Sequence, residues 1–385
     1  MQRLRIGVDA KNLLNDRRGI GRYARALLQR WFDAGAGAAG GVEIVLLMPQ
    51  LFLGPPKRGL SRIFQRDDLI VKHRAHASSL ALDAVWYPWN GMTWTAPVTS
   101  IATVHDVWPF ASPSSNERTR LSEQTPFRTT AARAKAIVTD SEFSKDEIVK
   151  HLGVERERIH VVPLGVDPPA QSFGGVLLDG AERYVLFVGE NEPRKGAATL
   201  LDAMRALPDA LRLTTGLVMV GKQLISGRAQ GRIDSVRDGA DECVLRFEPE
   251  QSVPVLMTGE VSDVRLSQLY ANAAVFAFPS LYEGFGLPVL EAMAHGVPVV
   301  ASNASSVPEA GGDAAIYFPA GDEKVLSEQL AAVLADQQLA LRLRMAGRER
   351  AAQMSWDECA KKTLDVIART VQAIGGRAHV PSERL

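Results

Sequence analysis

The feature that most limits what this chain can become is an alternation of short β-branched runs with stretches of helical periodicity, completed once and then restarted. Strand-like segments in the first half fall at 4–9 (LRIGVD), 43–48 (EIVLLM), 84–87, 100–104 (SIATV), 136–139 and 159–162. Such alternation builds parallel sheets covered by helices. Residues 164–182 (LGVDPPAQSFGGVLLDGAE) are rich in Gly and Pro and break the pattern, so the linker is placed there. The pattern resumes with strands at 184–188, 216–220, 244–247, 275–278 and 297–301. Helices fit 197–206, 264–272, 288–295 and 323–335. Two doubly wound α/β domains are expected, 1–168 and 183–355, facing each other across a cleft. Residues 356–373 read as a last amphipathic helix with Leu364, Val366, Ile367 and Val371 among its apolar positions, and the final dozen residues as frayed.

Composition agrees with a soluble globular protein: 46% of the 385 residues are apolar and 23% charged. Cys243 and Cys359 are too far apart for a disulfide framework or a zinc spacing, which fits a reducing cytoplasm. The opening residues form a short strand and not a signal-peptide core, and apolar runs such as that around GVPVVA at 295–301 fall far short of a membrane span. Export and membrane spanning are not expected. Residues 1–170 hold 23 Lys and Arg against 17 Asp and Glu, and the remainder reverses the imbalance. A basic front half fits an anionic acceptor or an anionic membrane surface, and equally complementary domain faces or chance.

The chemistry concentrates in Pro279-Ser-Leu-Tyr-Glu-Gly-Phe-Gly-Leu-Pro-Val-Leu-Glu-Ala-Met-Ala-His-Gly, which follows strand 275–278. Gly284 and Gly286 let a turn bring backbone close to a ligand, and Pro288 suits the first position of a helix. The free N–H groups of 286–289 with the helix dipole make an anion site. Glu291 is expected in the first turn of that helix and Glu283 in the loop before it. Carboxylates beside phosphates make sense as acceptors for sugar and ribose hydroxyls, and a capping carboxylate on a Gly-rich turn accounts for them as well.

This segment resembles the E-x7-E signature of a large family of retaining glycosyltransferases that includes many bacterial envelope mannosyltransferases. Further markers stand in the family's order: Gly19-Ile-Gly-Arg-Tyr, Thr103-Val-His-Asp, Thr139-Asp-Ser-Glu-Phe-Ser and Gly189-Glu-Asn-Glu-Pro-Arg-Lys-Gly. The resemblance, to glycosyltransferase family 4, covers nearly the whole chain. It implies the GT-B fold, two Rossmann-like domains with a C-terminal helix, 356–375, crossing back onto the N-terminal domain.

It also implies roles. Glu283 contacts the transferred sugar, Glu291 binds the ribose, Gly284, Phe285 and Gly286 help hold the sugar, and Leu287 and Pro288 lie at the diphosphate. Lys195 binds the diphosphate, where a cation stabilises the leaving group. Glu190 stands where many members carry Arg, which leaves open whether Arg194 shares that charge. Gly19 and Gly21 belong to a loop approaching the donor phosphates, followed by a helix at 22–30. His105 is placed beside the sugar's reacting centre as a hydrogen-bonding group, not a base, with Asp106 either orienting it or capping a turn.

Other residues keep two readings. Trp86, Trp89 and Trp94 can stack on an acceptor or fill the core. Asp9 and Asn12 can be turn residues. No D-x-D occurs in the chain, so no metal and no cofactor is expected, with Lys195 and the helix end neutralising the leaving group. The expected reaction moves a hexose, with GDP-mannose the first choice of donor, to a glycan or lipid-linked hydroxyl acceptor in envelope polysaccharide synthesis. A cytoplasmic location with peripheral contact at the inner membrane, and no nucleic-acid partner, accompanies it. The alternatives are a UDP-sugar-dependent transferase, a sugar-nucleotide epimerase on the same architecture, and a non-catalytic sugar-nucleotide-binding protein.

Overall fold

The computed structural model describes residues 4–16, 19–35, 41–50, 54–169, 181–190, 192–221, 231–236, 243–247 and 254–375. The chain divides into two compact units, one built on residues up to Gly165 together with those from Trp356 onward, the other on Val166–Ser355. Most of the expected linker, residues 170–180, and the final ten residues lie outside the described residues.

The first unit carries seven strands: β1 (Leu4–Asp9), β2 (Val42–Met48), β3 (Ile70–His73), β4 (Ala84–Tyr87), β5 (Thr99–Thr103), β6 (Ala136–Thr139) and β7 (Ile159–Val161). Their order is β3-β2-β1-β4-β5-β6-β7, every pairing parallel. β1, β4 and β6 are almost wholly buried runs, as a strand covered on both faces must be. β3 escapes the sequence pattern because only Val71 of its four residues is buried.

Helix Gly19–Gly35 buries Ala24, Leu27, Leu28, Trp31 and Phe32, one apolar stripe at helical spacing. Helix Trp356–Gly375 meets it. Trp31 Nε1 donates to the Ala360 carbonyl at 3.0 Å, and Trp356, Cys359, Leu364 and Ile367 are buried within this unit. Each such side chain contributes about 1.5–3 kcal/mol on full burial.

The second unit carries β8 (Arg183–Val188), β9 (Thr215–Val220), β10 (Gly231–Val236), β11 (Cys243–Phe247), β12 (Pro254–Met257), β13 (Val275–Phe278), β14 (Val299–Ser302) and β15 (Ile316–Phe318). Their order is β10-β11-β12-β9-β8-β13-β14-β15. The six strands from β12 to β15 run parallel and repeat the order of the first unit. The sheet is not purely parallel, as the sequence pattern led one to expect: β10 and β11 add an antiparallel extension at one edge. β10, β12 and β15 are further strands the pattern did not mark; β12 and β15 are only four and three residues long.

Candidate functional site

In both sheets the chain runs outward in opposite directions from two neighbouring central strands. The loops leaving their carboxyl ends diverge, and ligands of such sheets bind there. In the second unit those strands are β8 and β13. The loop after β8 carries Gly189 to Gly196, and the loop after β13 carries Pro279 to Gly286. They are tied together: Leu281 N donates to the Arg194 carbonyl at 2.6 Å, and an Arg194 guanidinium nitrogen to the Tyr282 carbonyl at 3.3 Å. Gly196 makes this approach possible. Its φ of 70° is left-handed, and a Cβ there would stand 2.1 Å from the Pro279 carbonyl oxygen.

Lys195 and Glu283 face each other over this junction. Lys195 Nζ donates to both carboxylate oxygens of Glu283, at 2.7 and 3.0 Å. Arg194 stands 3.9 Å from Glu283 and 2.5 Å from Glu192. Burial works to raise the Glu192 pKa, but the Arg194 charge and hydrogen bond with help from Lys195 outweigh it, and the group is held below its usual range. Glu283 is only 8% exposed, and its backbone is gripped on both sides. Its N–H donates to Ser305 Oγ, and Ser306 Oγ donates to its carbonyl, each at 2.9 Å. Ser302 donates in turn to the Ser280 carbonyl. Ser302 ends β14, the next strand out, and Ser305 and Ser306 follow it, so the loops after three neighbouring strands converge on Glu283.

The helix after this loop, Leu287–Ala294, differs from the sequence expectation in three details. Leu287 is its first residue, so Pro288 is the second. Pro288 has no N–H, and the Val289 N–H is bonded to the Gly286 carbonyl at 2.9 Å; the amide pair at this end is therefore that of Gly286 and Leu287. Glu291 lies in the second turn, not the first, because the helix starts at Leu287, one residue earlier than expected. Its carboxylate accepts from the Tyr270 hydroxyl at 3.0 Å. The His295 ring stacks on Tyr270 with centroids 5.1 Å apart, and its Nε2 lies 2.9 Å from Ser267 Oγ. Phe285 is buried.

The first unit holds the remaining predicted residues. Gly19 and Gly21 are not in a loop: the helix begins at Gly19, so the expected helix at 22–30 is longer at both ends. Gly21 is required by crowding, since a Cβ would stand 1.9 Å from the Asp16 carbonyl oxygen. His105, just beyond β5, is buried with Nδ1 2.7 Å from Asp140 Oδ2 and Nε2 3.2 Å from the Pro88 carbonyl oxygen. Asp106 caps a turn by accepting from the Trp108 N–H at 2.9 Å, and Asp140 is the residue that orients the imidazole.

Trp86 and Trp89 are core: their indole N–H groups donate to Thr103 Oγ1 at 3.0 Å and the Asp9 carbonyl at 2.6 Å. Trp94 packs edge-on against Tyr87, centroids 5.3 Å apart. Asn12 is a turn residue through its carbonyl, which accepts from Asn15 and Asp16. Asp9 is completely buried, and among the described residues no donor meets its carboxyl oxygens at full hydrogen-bond geometry. Burial raises its pKa against the partial opposition of Lys11 and Trp94.

Sequence reasoning missed Asp140, Tyr270, Ser305 and Ser306 as supports of the predicted residues. Asp140 lay inside a quoted motif, and the serines follow a predicted strand on the sheet's ligand-binding end. Among the described residues no three His, Cys, Asp or Glu side chains gather as a ligand set for a metal ion, and no helix is long and apolar enough to cross a membrane.

Comparison with known proteins covers both units. The family model described as "Glycosyltransferase Family 4" matches residues 18–169, and that described as "Glycosyl transferases group 1" matches 171–350. O-antigen chain mannosyltransferase B of Escherichia coli is 32% identical over 277 residues, 69% of each chain. A D-inositol 3-phosphate glycosyltransferase of Xylanimonas cellulosilytica is 31% identical over 259 residues, 63% of this chain and 58% of that protein. Sucrose-phosphate synthase from Thermosynechococcus elongatus superposes with a TM-score of 0.66 at 18% identity, over 96% of this chain and 100% of the other; at that identity the likeness is one of fold.

Proposed function

The chain belongs to the glycosyltransferases of group 1 and family 4, with the GT-B fold, and from that premise we propose that this hexosyltransferase moves mannose from GDP-mannose, with retention, to a glycan or lipid-linked hydroxyl in envelope polysaccharide synthesis. The likeness to an O-antigen mannosyltransferase supports the sugar and the acceptor class.

One observation carries the site: the Lys195–Glu283 pair, 2.7 Å apart at the divergence of β8 and β13. Lys195 has three N–H donors and directs two of them at Glu283. A diphosphate is the more highly charged acceptor and draws the ammonium toward itself, which opens Glu283 to the hydroxyls of the transferred sugar. The amides of Gly286 and Leu287 add donors for the phosphate oxygens, Gly284 and Phe285 border the sugar, and Arg194 adds a second positive charge. Glu291, already held by Tyr270, takes the ribose hydroxyls. His105 hydrogen-bonds the sugar, and Gly19 and Gly21 keep the start of their helix close-packed. The positive groups of the chain, not a divalent cation, meet the leaving group's charge.

The test is donor binding followed by turnover. GDP-mannose at a hundredfold excess over its Kd stabilises the folded protein by about 2.7 kcal/mol, read as a rise in Tm; Lys195→Ala removes that shift. Glu283→Gln keeps donor binding and lowers kcat by about 10²–10³-fold, and a chelator leaves kcat unchanged. A panel of GDP- and UDP-sugars that leaves Tm where it was, or full turnover by Lys195→Ala, ends the assignment.

A further inference from the structure

Both ring nitrogens of His105 face oxygens that accept hydrogen bonds: Asp140 Oδ2 at 2.7 Å from Nδ1, and the Pro88 carbonyl oxygen at 3.2 Å from Nε2. A carbonyl has no proton to give, so Nε2 carries one. The short contact on the other side holds a second proton between Nδ1 and the carboxyl. A general base needs the opposite arrangement, a bare Nε2. That form sets its lone pair against the Pro88 oxygen in a site where the side chain is only 8% exposed and the repulsion is poorly screened.

The surroundings contain little to reverse this. Helix Gly19–Gly35 contributes Tyr23, edge-on to the imidazole at 4.9 Å; burial pushes its hydroxyl pKa well above the usual value, so it stays neutral. Helix Trp356–Gly375 brings Cys359 near Tyr23 and Asp140, and burial pushes that thiol up as well. Helix Glu142–Leu152 contributes Ser144, whose hydroxyl donates to the His105 carbonyl at 2.9 Å. Asn90 accepts from the backbone N–H of His105 at 2.9 Å. The nearby charges are the carboxyl groups of Asp140 and Asp106. Burial lowers the His105 pKa, but Asp140, the Pro88 carbonyl and Asp106 outweigh it and the net direction is upward. Burial raises Asp140 too. The ring faces two acceptors, Asp140 at Nδ1 and the Pro88 carbonyl at Nε2, and this geometry keeps the proton on the imidazole.

We propose that Asp140 is a positioning residue that keeps His105 doubly protonated, so that His105 serves the transfer as a hydrogen-bond donor from Nε2 and never as a base. This rests on the glycosyltransferase reading above. A donor-sugar oxygen replaces the Pro88 carbonyl as the acceptor of the Nε2 proton. The acceptor's own proton then needs another destination. The bond from the anomeric carbon to the diphosphate breaks with its electron pair, the acceptor oxygen bonds that carbon, and the hydroxyl proton passes to the departing phosphate oxygen.

The experiment is nitrogen-15 NMR of the full chain labelled in its histidine rings, with the His105 signals identified among seven histidines by their loss in His105→Gln. Both His105 nitrogens are expected in the protonated range at pH 7.5, where an ordinary histidine is mostly neutral. Asp140→Asn is expected to give a neutral ring protonated only on Nε2 at pH 7.5. Its kcat falls about tenfold with KM for the donor unchanged, because a charge-assisted donor becomes a neutral one, and Asp140→Glu restores part of the loss. A bare Nε2 in the wild type at pH 7.5, an unaltered spectrum in Asp140→Asn, or an altered spectrum with unaltered kcat overturns the proposal. If Asp140→Asn does not fold, the wild-type spectrum decides alone. These spectra need no substrate, so their failure is separable from a failure of sugar nucleotides to raise Tm.

Discussion

The two units share one strand order, yet what occupies the divergence of their central strands differs in kind. In the second unit the loops after β8 and β13 bring together a lysine, an arginine and two glutamates within a few ångströms. In the first unit the equivalent strands are β1 and β4, and the groups beyond them are inward-facing. Asp9 is buried, with no donor among the described residues at full hydrogen-bond geometry to its carboxyl, and the Trp89 indole closes over it by bonding its carbonyl. Asn90, at a φ of 33°, serves the backbone of the next loop with its side-chain oxygen. One junction displays charge that is paired but poised for exchange, while the other is packed shut. The same topology therefore does not dictate the same use; the few residues after each central strand do.

Substitutions sharpen that contrast. The largest effect is expected at Lys195 and Glu283, whose side chains are 17% and 10% exposed. Lys195→Met leaves the buried Glu283 carboxylate with the more distant Arg194, 3.9 Å away, and costs up to about 3–5 kcal/mol. The double variant Lys195→Met/Glu283→Leu returns close to wild-type stability but transfers no sugar. Urea titration with donor turnover checks both, and a double variant as unstable as the single one would make the pair a structural element.

Next comes Gly196→Ala, expected to cost about 2–3 kcal/mol through the left-handed backbone and the Pro279 clash, with donor affinity lost in parallel. Its counterpart Gly21→Ala, crowded against Asp16, lowers stability by about 1–3 kcal/mol and leaves the isolated second junction's affinity for GDP intact. A loss of GDP affinity in Gly21→Ala would break the distinction between the two glycines. Trp89→Phe removes one hydrogen bond at the closed junction and costs about 1 kcal/mol.

Asp9→Asn is the smallest effect and has the opposite sign. The native carboxyl holds its proton more tightly than the unfolded one, whose pKa is 3.8. Its contribution is full below that value and is lost as pH rises through the raised native pKa. Asp9→Asn is thus expected to melt above wild type at pH 7.5, with the gap closing in acid. A lower Tm at pH 7.5 would mean that the ionised carboxylate has a stabilising role.

Sequence periodicity revealed the long buried strands and the amphipathic helices because burial on both faces or along one stripe leaves a pattern in the residues themselves. It missed β3, where one of four residues is buried, and β12, a four-residue strand. The motifs that carry Lys195 and Glu283 were readable in the sequence, and the fold brings the two side chains together. The contacts of the site residues were not readable there. Asp140 sits 35 positions from His105, and Ser305 is 22 from Glu283; partners that far apart are set by which strands lie side by side, not by local spacing. Glu291 was placed in the first turn and lies in the second because Gly286, left-handed at a φ of 110°, caps a helix that begins at Leu287, one residue before the expected start.

The return of the chain at Trp356 has a consequence for how the protein is made. Residues up to Gly165 leave the ribosome before Val166–Ser355, but the helix that covers Trp31 and Tyr23 is synthesised only after all of that second unit. The nascent first unit therefore waits with an uncovered apolar flank while its neighbour is translated, and it becomes complete only when the helix from Trp356 packs onto it. A chaperone that shields that flank during synthesis would raise the yield of native protein more than one acting after release.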